Sequence, residues 1–247
     1  FAITPAKLLV QQCFREGITW DENLPPHIQG EVDAWISKLS TLNELRIPRR
    51  ITDLCSPSLE HELHVFCDGS ESVYAMNAFV RTSSSDGSVD VRLMASKTRL
   101  LPMKGLTVPR VELCACLIGA RLATTIKRES NIEFSATFFW TDSSASLGVI
   151  KNTTTRFSVF TGNRQAEIQS LSQISDWRHV PTKVNPADGL TRGRFPDTAE
   201  PDTFFVGPAF LLRPHEEWPS SLDSNYESAI DPSEIRKVQH VMLTTVS

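Results

Sequence analysis

Leu63-His64-Val65-Phe66-Cys67-Asp68 decides the fold: an apolar run, Leu63 to Cys67, closes on an aspartate. An acid at the end of a buried strand loses its hydration, which is costly unless something cationic offsets it, and a divalent metal is the usual answer. Three more carboxylates stand in their own local contexts. Glu112 opens a helical stretch after Pro109, Asp142 follows Phe138-Phe139-Trp140-Thr141, and Asp188 sits in Asn185-Pro186-Ala187-Asp188, nine residues after His179.

Outward from that first strand, Val73 to Val80 and Val89 to Ala95 read as two more, parted by the turn cluster Ser83-Ser84-Ser85-Asp86-Gly87-Ser88, so an antiparallel meander is expected. Pro109 suits a helical first turn and starts a helix to about Arg128, with Val111, Ala115, Ile118 and Leu122 as its inward stripe. Ala136 to Thr141 reads as a strand, Ser143 to Ile150 and Phe157 to Leu171 as helices, Asp176 to Val180 as a short strand, and Asn185 to Thr191 as a last helical turn. Upstream, Pro5 to Arg15 and His27 to Leu45 read as helices until Ile47-Pro48-Arg49-Arg50 stops the pattern. Beyond Gly193 prolines, acids and serines thicken into an extension expected to be partly ordered. The expected division is a helical segment at 1–60, an α/β domain at 61–194, and an acidic extension at 195–247.

A chain of 247 residues with 40% hydrophobic content can bury one sizeable core with appendages. Its longest apolar candidate, Val111 to Ile126, carries Glu112 and Arg121 and falls short of the roughly 20 residues that cross a bilayer, so a soluble chain without a membrane partner is expected. Five cysteines, odd in number and lacking a C-x-x-C pair, argue against a disulfide framework or a zinc module and fit a reducing, intracellular, cytoplasmic setting. Cys114 and Cys116 point to different helix faces and read as core filling, as do Trp140 and Trp177. Phe1, with neither an initiator methionine nor a signal-peptide pattern, suggests a piece of something longer. The net charge of −4 argues weakly against nucleic acid, but Arg92, Lys97, Arg99, Lys104, Arg110, Arg121, Lys127 and Arg128 gather in one stretch while the acids gather in the tail.

Three strands, a helix, a strand, helices, a strand and a final helix, with acids on the first strand, the helix after the meander, the fourth strand and the last helix, form the order of the RNase H fold: α/β, a mixed five-stranded sheet flanked by helices. Phe66-Cys67-Asp68-Gly69-Ser70, Ala95-Ser96-Lys97-Thr98-Arg99, Leu106 through Ala115, Trp140-Thr141-Asp142-Ser143 and Trp177-Arg178-His179-Val180-Pro181 through Asp188 closely resemble the RNase H-like region of BEL/Pao long-terminal-repeat retrotransposon polyproteins. Ile18-Thr19-Trp20-Asp21-Glu22 and the helix after it look like that family's connection from reverse transcriptase to RNase H. Gly207-Pro208, Pro214 and Trp218-Pro219 resemble the stretch leading to the integrase. Three positions depart from the family pattern: Gly69 for the usual alanine, Ala75 for glycine, and Asn77 where an apolar residue is usual.

The resemblance implies metal-dependent endonucleolytic hydrolysis of the RNA strand of RNA/DNA hybrids during reverse transcription. Two Mg²⁺ ions about 4 Å apart, or Mn²⁺ in their place, would be held by Asp68 as the bridging ligand with Glu112, Asp142 and Asp188 around it. His179 is the candidate proton shuttle to the leaving oxygen. Asn185 would orient its loop or touch the substrate, and Lys97, Arg99, Lys104 and Arg110 would hold phosphates. The implied partners are the hybrid and the reverse transcriptase module of the same polyprotein, and the implied place is the cytoplasm, within a virus-like particle if the element is active. Taken singly each acid has a plainer role: Asp142 capping a helix, Asp188 facing a helix dipole, Glu112 pairing with Arg110 or a neighbouring lysine. Two other readings are a catalytically decayed module that binds or supports, and an integrase core, which would want a glutamate about 35 residues beyond its second aspartate, where Trp177 stands.

Overall fold

The computed structural model describes residues 2–47, 49–55, 58–193, 203–220 and 226–236. Five strands make one sheet in the order β3-β2-β1-β4-β5: β1 is Leu59–Gly69, β2 Val73–Ser84, β3 Val89–Leu100, β4 Ala136–Thr141 and β5 Trp177–His179. The first three form the expected meander, each strand longer than its apolar run because flanking polar residues continue the antiparallel ladder, as in Leu59 opposite Ser84 and Val73 opposite Leu100. β4 joins the other edge of β1 in parallel, and β5 joins β4 in parallel. β1 is therefore central, and its stretch from Glu62 to Asp68 is buried.

Alternation along β1 assigns its two faces. Leu63, Val65 and Cys67 meet the helix α3, Val108–Glu129, which packs across β1 and β2. The approach is close: a side chain at Gly119 would put its Cβ 2.5 Å from Cys67 Sγ. Val111, Ala115 and Ile118 of the expected stripe are buried, whereas Leu122 is only half-buried and Ala123 and Ile126 extend the inner face in its place. Cys114 and Cys116 are buried free thiols, as expected of core residues. Helices α4, Ser144–Lys151, and α5, Val159–Leu171, complete this layer, each started by a serine cap: Ser143 accepts from the Ser146 N–H and Ser158 from the Thr161 N–H.

Glu62, His64, Phe66 and Asp68 face the other way, and most of that face is covered by residues expected to belong to the extension. Phe210, Leu211 and Trp218 pack with Phe66, Phe79 and Trp140. Arg81, also on this face, donates to Glu62 at 2.8 Å and to the Leu211 carbonyl at 2.8 Å. On the α3 side, Tyr226–Arg236 is tied down by Glu234, which accepts from Arg110, Ser158 and Thr161. The two described stretches after residue 194 are thus built into the core, while 195–202, 221–225 and 237–247 lie outside the described residues.

At the other end, α1, Ile3–Arg15, and α2, Pro26–Leu39, are helical as expected, but the last five residues before Leu45 tighten into a 3₁₀ turn, Ser40–Glu44. α1 is joined to the sheet: Lys7 Nζ donates to the Thr98 carbonyl and Gln11 to the Leu101 carbonyl.

Candidate active site

All four acids gather where the C-terminal ends of β1 and β4 meet the start of α3 and the helix α6, Asp188–Thr191. Asp68 ends the buried part of β1 opposite Ala75. Next to it, Gly69 lets the first turns of α3 close in: a Cβ there would lie 2.8 Å from the Glu112 backbone nitrogen. Glycine, standing where the family usually has alanine, leaves this close approach free of a side chain. Asp142 follows directly on β4, whose Thr141 is level with Cys67. Asp188 arrives on the loop after β5.

That loop is held from two sides. Asn185, buried, donates to the Cys67 carbonyl at 3.1 Å and to Asp142 Oδ1 at 3.3 Å, and its own oxygen accepts from the Ala187 N–H. Of the two roles expected for Asn185, these bonds are those of a residue that orients the loop. Asn77, the second departure, donates to the Pro186 carbonyl from β2 at 3.4 Å. Ala75, the third, packs against Leu190 of α6.

Each carboxylate has its own partner. Thr191 Oγ1 lies 2.5 Å from Asp68 Oδ2. Ser143, which caps α4, lies beside Glu112 and opposes the rise of its carboxyl. Asp142 takes the Asn185 amide, and Asp188 takes Arg192 Nε at 2.9 Å. These contacts revise the plainer roles: Ser143 and not Asp142 caps the helix, and Arg110 pairs with Glu234, 2.5 Å away, and not with Glu112. Among the described residues no three His, Cys, Asp or Glu side chains converge as a ready metal cage.

The charges still feel one another. Burial, and then the charges of Asp142 and Asp188, push the Asp68 carboxyl up to about 6 against the opposing bonds from Thr191 and the Gly69 N–H. Burial, and then Asp142 and Asp68, push Glu112 up to about 7 against the bond from Ser143. No lysine or arginine reaches Asp68, Glu112 or Asp142 with an ion pair among the described residues. Hard oxygen donors of which three, Asp68, Glu112 and Asp142, have no cationic partner among the described residues form a set suited to a divalent cation.

The remaining expected residues fall around this cluster. His179 ends β5, level with Thr141 and half-buried. Lys97 and Arg99 are exposed on the edge strand β3, flanking Thr98, which lies level with Ala75 and Asp68; Lys104 is exposed in the turn before α3. None of these three makes a side-chain hydrogen bond or ion pair with the described residues. Arg110 is different, since Glu234 holds its guanidinium. Thr191, Ser143 and Arg192 were not anticipated. Spacing offers a signal for the first, because a hydroxyl three residues after Asp188 on a helix shares its face.

The family profile described as Pao retrotransposon-like RNaseH-like domain matches residues 2–143, which include Asp68, Glu112 and Asp142. Among curated proteins no relative matches. Solved structures with a similar arrangement include the N-terminal RNase H domain of rv2228c from Mycobacterium tuberculosis, at 15% identity over 55% of this chain and 99% of that one, TM-score 0.36. RNase H1 from the halophilic archaeon Halobacterium salinarum NRC-1 matches at 18% identity over 52% and 93%, TM-score 0.33. LC11-RNase H1, solved with an RNA/DNA hybrid, matches at 10% identity over 55% and 96%, TM-score 0.37.

Proposed function

The chain belongs to the Pao retrotransposon-like RNase H-like family, and from that membership and its acid cluster we propose that it is a ribonuclease H, which hydrolyses the RNA strand of RNA/DNA hybrids during reverse transcription. The observation that carries this reading is the meeting of Asp68, Glu112, Asp142 and Asp188, from four separate elements, with Asp68 and Glu112 pushed up in part by their neighbours' charge. Asp68, Glu112, Asp142 and Asp188 would hold Mg²⁺, or Mn²⁺ in its place, with Asp68 keeping its bond from Thr191. When bound, such ions supply an activated water and neutralise charge on the phosphate and the leaving oxygen.

The chain's own side chains do the rest. Asn185 and Asn77 hold the Asp188 loop against β1 and β2. His179, at the rim, gives a proton to the departing oxygen. Lys97, Arg99 and Lys104 take backbone phosphates, which orients the duplex without reading its sequence. Arg110 joins them only where Glu234 lets go. Selectivity for RNA comes from 2′-hydroxyl contacts and from the shape of the hybrid. In the parent polyprotein, residues 1–60 link a reverse transcriptase module to this domain, and the stretch beyond 195 leads onward from it.

Incubating the chain with end-labelled RNA/DNA hybrid, double-stranded DNA, double-stranded RNA and single-stranded RNA tests the reading. Cleavage confined to the RNA of the hybrid is expected. Hybrid binding without cleavage would make the chain a decayed binding module, and equal cutting of DNA duplex would refute the substrate.

A further inference from the structure

Thr191 ends α6 three residues after Asp188, and its side chain points back at β1 from a buried position. Its Oγ1 is 2.5 Å from Asp68 Oδ2 and 2.9 Å from the Asp188 backbone carbonyl. A hydroxyl carries a single proton, and the shorter of the two contacts is the one to the carboxylate. One small side chain therefore spans two elements that each carry an acid, and the two acids it spans repel.

We infer that Thr191 is a positioning residue for Asp68: its hydroxyl engages Oδ2, fixes the plane of the carboxylate, and sets the distance between β1 and α6. The inference rests on the ribonuclease reading above. With Oδ2 engaged, the carboxylate is held in one orientation at the end of β1, beside Glu112 and Asp142. The side chain suits the task, since a β-branched residue is stiff about χ1 and keeps its oxygen where the backbone places it. The packing around it is firm too, with Leu190 buried against Ala75 and Thr191 itself buried. Partners of this kind, which touch a metal ligand and not the metal, commonly change metal affinity or activity about 10–100-fold when removed.

Thr191→Val keeps the shape and loses the donor, and Thr191→Ser keeps the donor and loses a methyl. Calorimetric titration of Mn²⁺ into the full chain is expected to show binding weakened about tenfold or more in Thr191→Val and within about threefold of wild type in Thr191→Ser. The metal concentration for half-maximal hybrid cleavage should rise in the same proportion, while the Michaelis constant for hybrid at saturating metal stays put. Should Thr191→Val not fold, Thr191→Ala carries the same expectation; if both fail to fold while Thr191→Ser folds, the hydroxyl is a structural requirement and the inference is overturned. Wild-type Mn²⁺ affinity in Thr191→Val, or equal losses in the valine and serine variants, also overturns it. A wild-type chain that neither binds Mn²⁺ nor cuts hybrid brings down the ribonuclease reading itself, and this inference with it.

Discussion

Replacing Asp68 with asparagine should stabilise the metal-free protein near pH 8 even as it abolishes hydrolysis. The carboxyl is raised from 3.8 to about 6, by burial first and then by Asp142 and Asp188. At about 1.4 kcal/mol per unit, that shift bounds the cost of holding Asp68 ionised at about 3 kcal/mol. Relaxation of the neighbours reduces the recoverable part to about 1–2 kcal/mol, and the asparagine oxygen still accepts from Thr191. Both Asp68 and Glu112 have folded values above their unfolded ones, so the native state binds more protons over that window. These two carboxyls therefore contribute stability that is lost as pH rises from about 4 to about 7, while buried His64, held down to about 4, contributes in the opposite sense over that range; the difference between variant and wild type isolates Asp68 and should grow in the variant's favour as pH rises. For a domain of this size the gain is a rise in Tm of about 2–8 °C. Thermal unfolding in chelator across about pH 5 to pH 8, repeated with millimolar Mg²⁺, reads all of this, and with metal the order should invert because ligand binding stabilises the wild type. A difference between variant and wild type that does not grow with pH in chelator, or an asparagine variant that is less stable throughout, would refute the reasoning.

Further outcomes follow from other parts of the molecule. His179→Ala should slow turnover by roughly tens- to thousands-fold with hybrid binding nearly unchanged; equal losses of both would make it a substrate contact. Reversing Lys97 and Arg99 together to glutamate should weaken hybrid binding and flatten its salt dependence by about two units of slope at most, and an unchanged slope would remove them from the interface. Arg81→Ala leaves Glu62 buried without its cation; because burial opposes ionisation of Glu62 while His64, His215 and Arg81 hold its carboxyl down to about 2, the loss should cost about 3–5 kcal/mol in urea unfolding. Residues 207–218 should then become protease-sensitive, and wild-type stability in that variant would show the pair to be dispensable.

The fold and the four acids could be read in the sequence because the signals were local. Apolar runs, a proline at a helix start and acids at element ends each declare themselves within a few residues. What could not be read depends on contacts across long separations. The Glu62–Arg81 pair with His64 and His215 forms on a sheet face that the stretch after Gly207 largely covers, and prolines and acids made that stretch look peripheral although Leu211 and Trp218 are buried. Arg110 looked like a phosphate ligand because Glu234, 124 residues away, gives no local sign of being its partner. Asn77 and Gly69 looked like departures from a pattern, and their reasons, a loop carbonyl at 3.4 Å and a helix backbone at 2.8 Å, exist only in three dimensions.

The central claim is that the four carboxylates act together on a hybrid through divalent metal. It is tested most directly by following a labelled RNA strand in an RNA/DNA hybrid with the wild-type chain and with Asp68→Asn, each in Mg²⁺ and in chelator. Cleavage by the wild type in Mg²⁺ alone, with none by the variant in either condition, is the predicted result. Cleavage by the variant at the wild-type rate, or by the wild type in chelator, would contradict it.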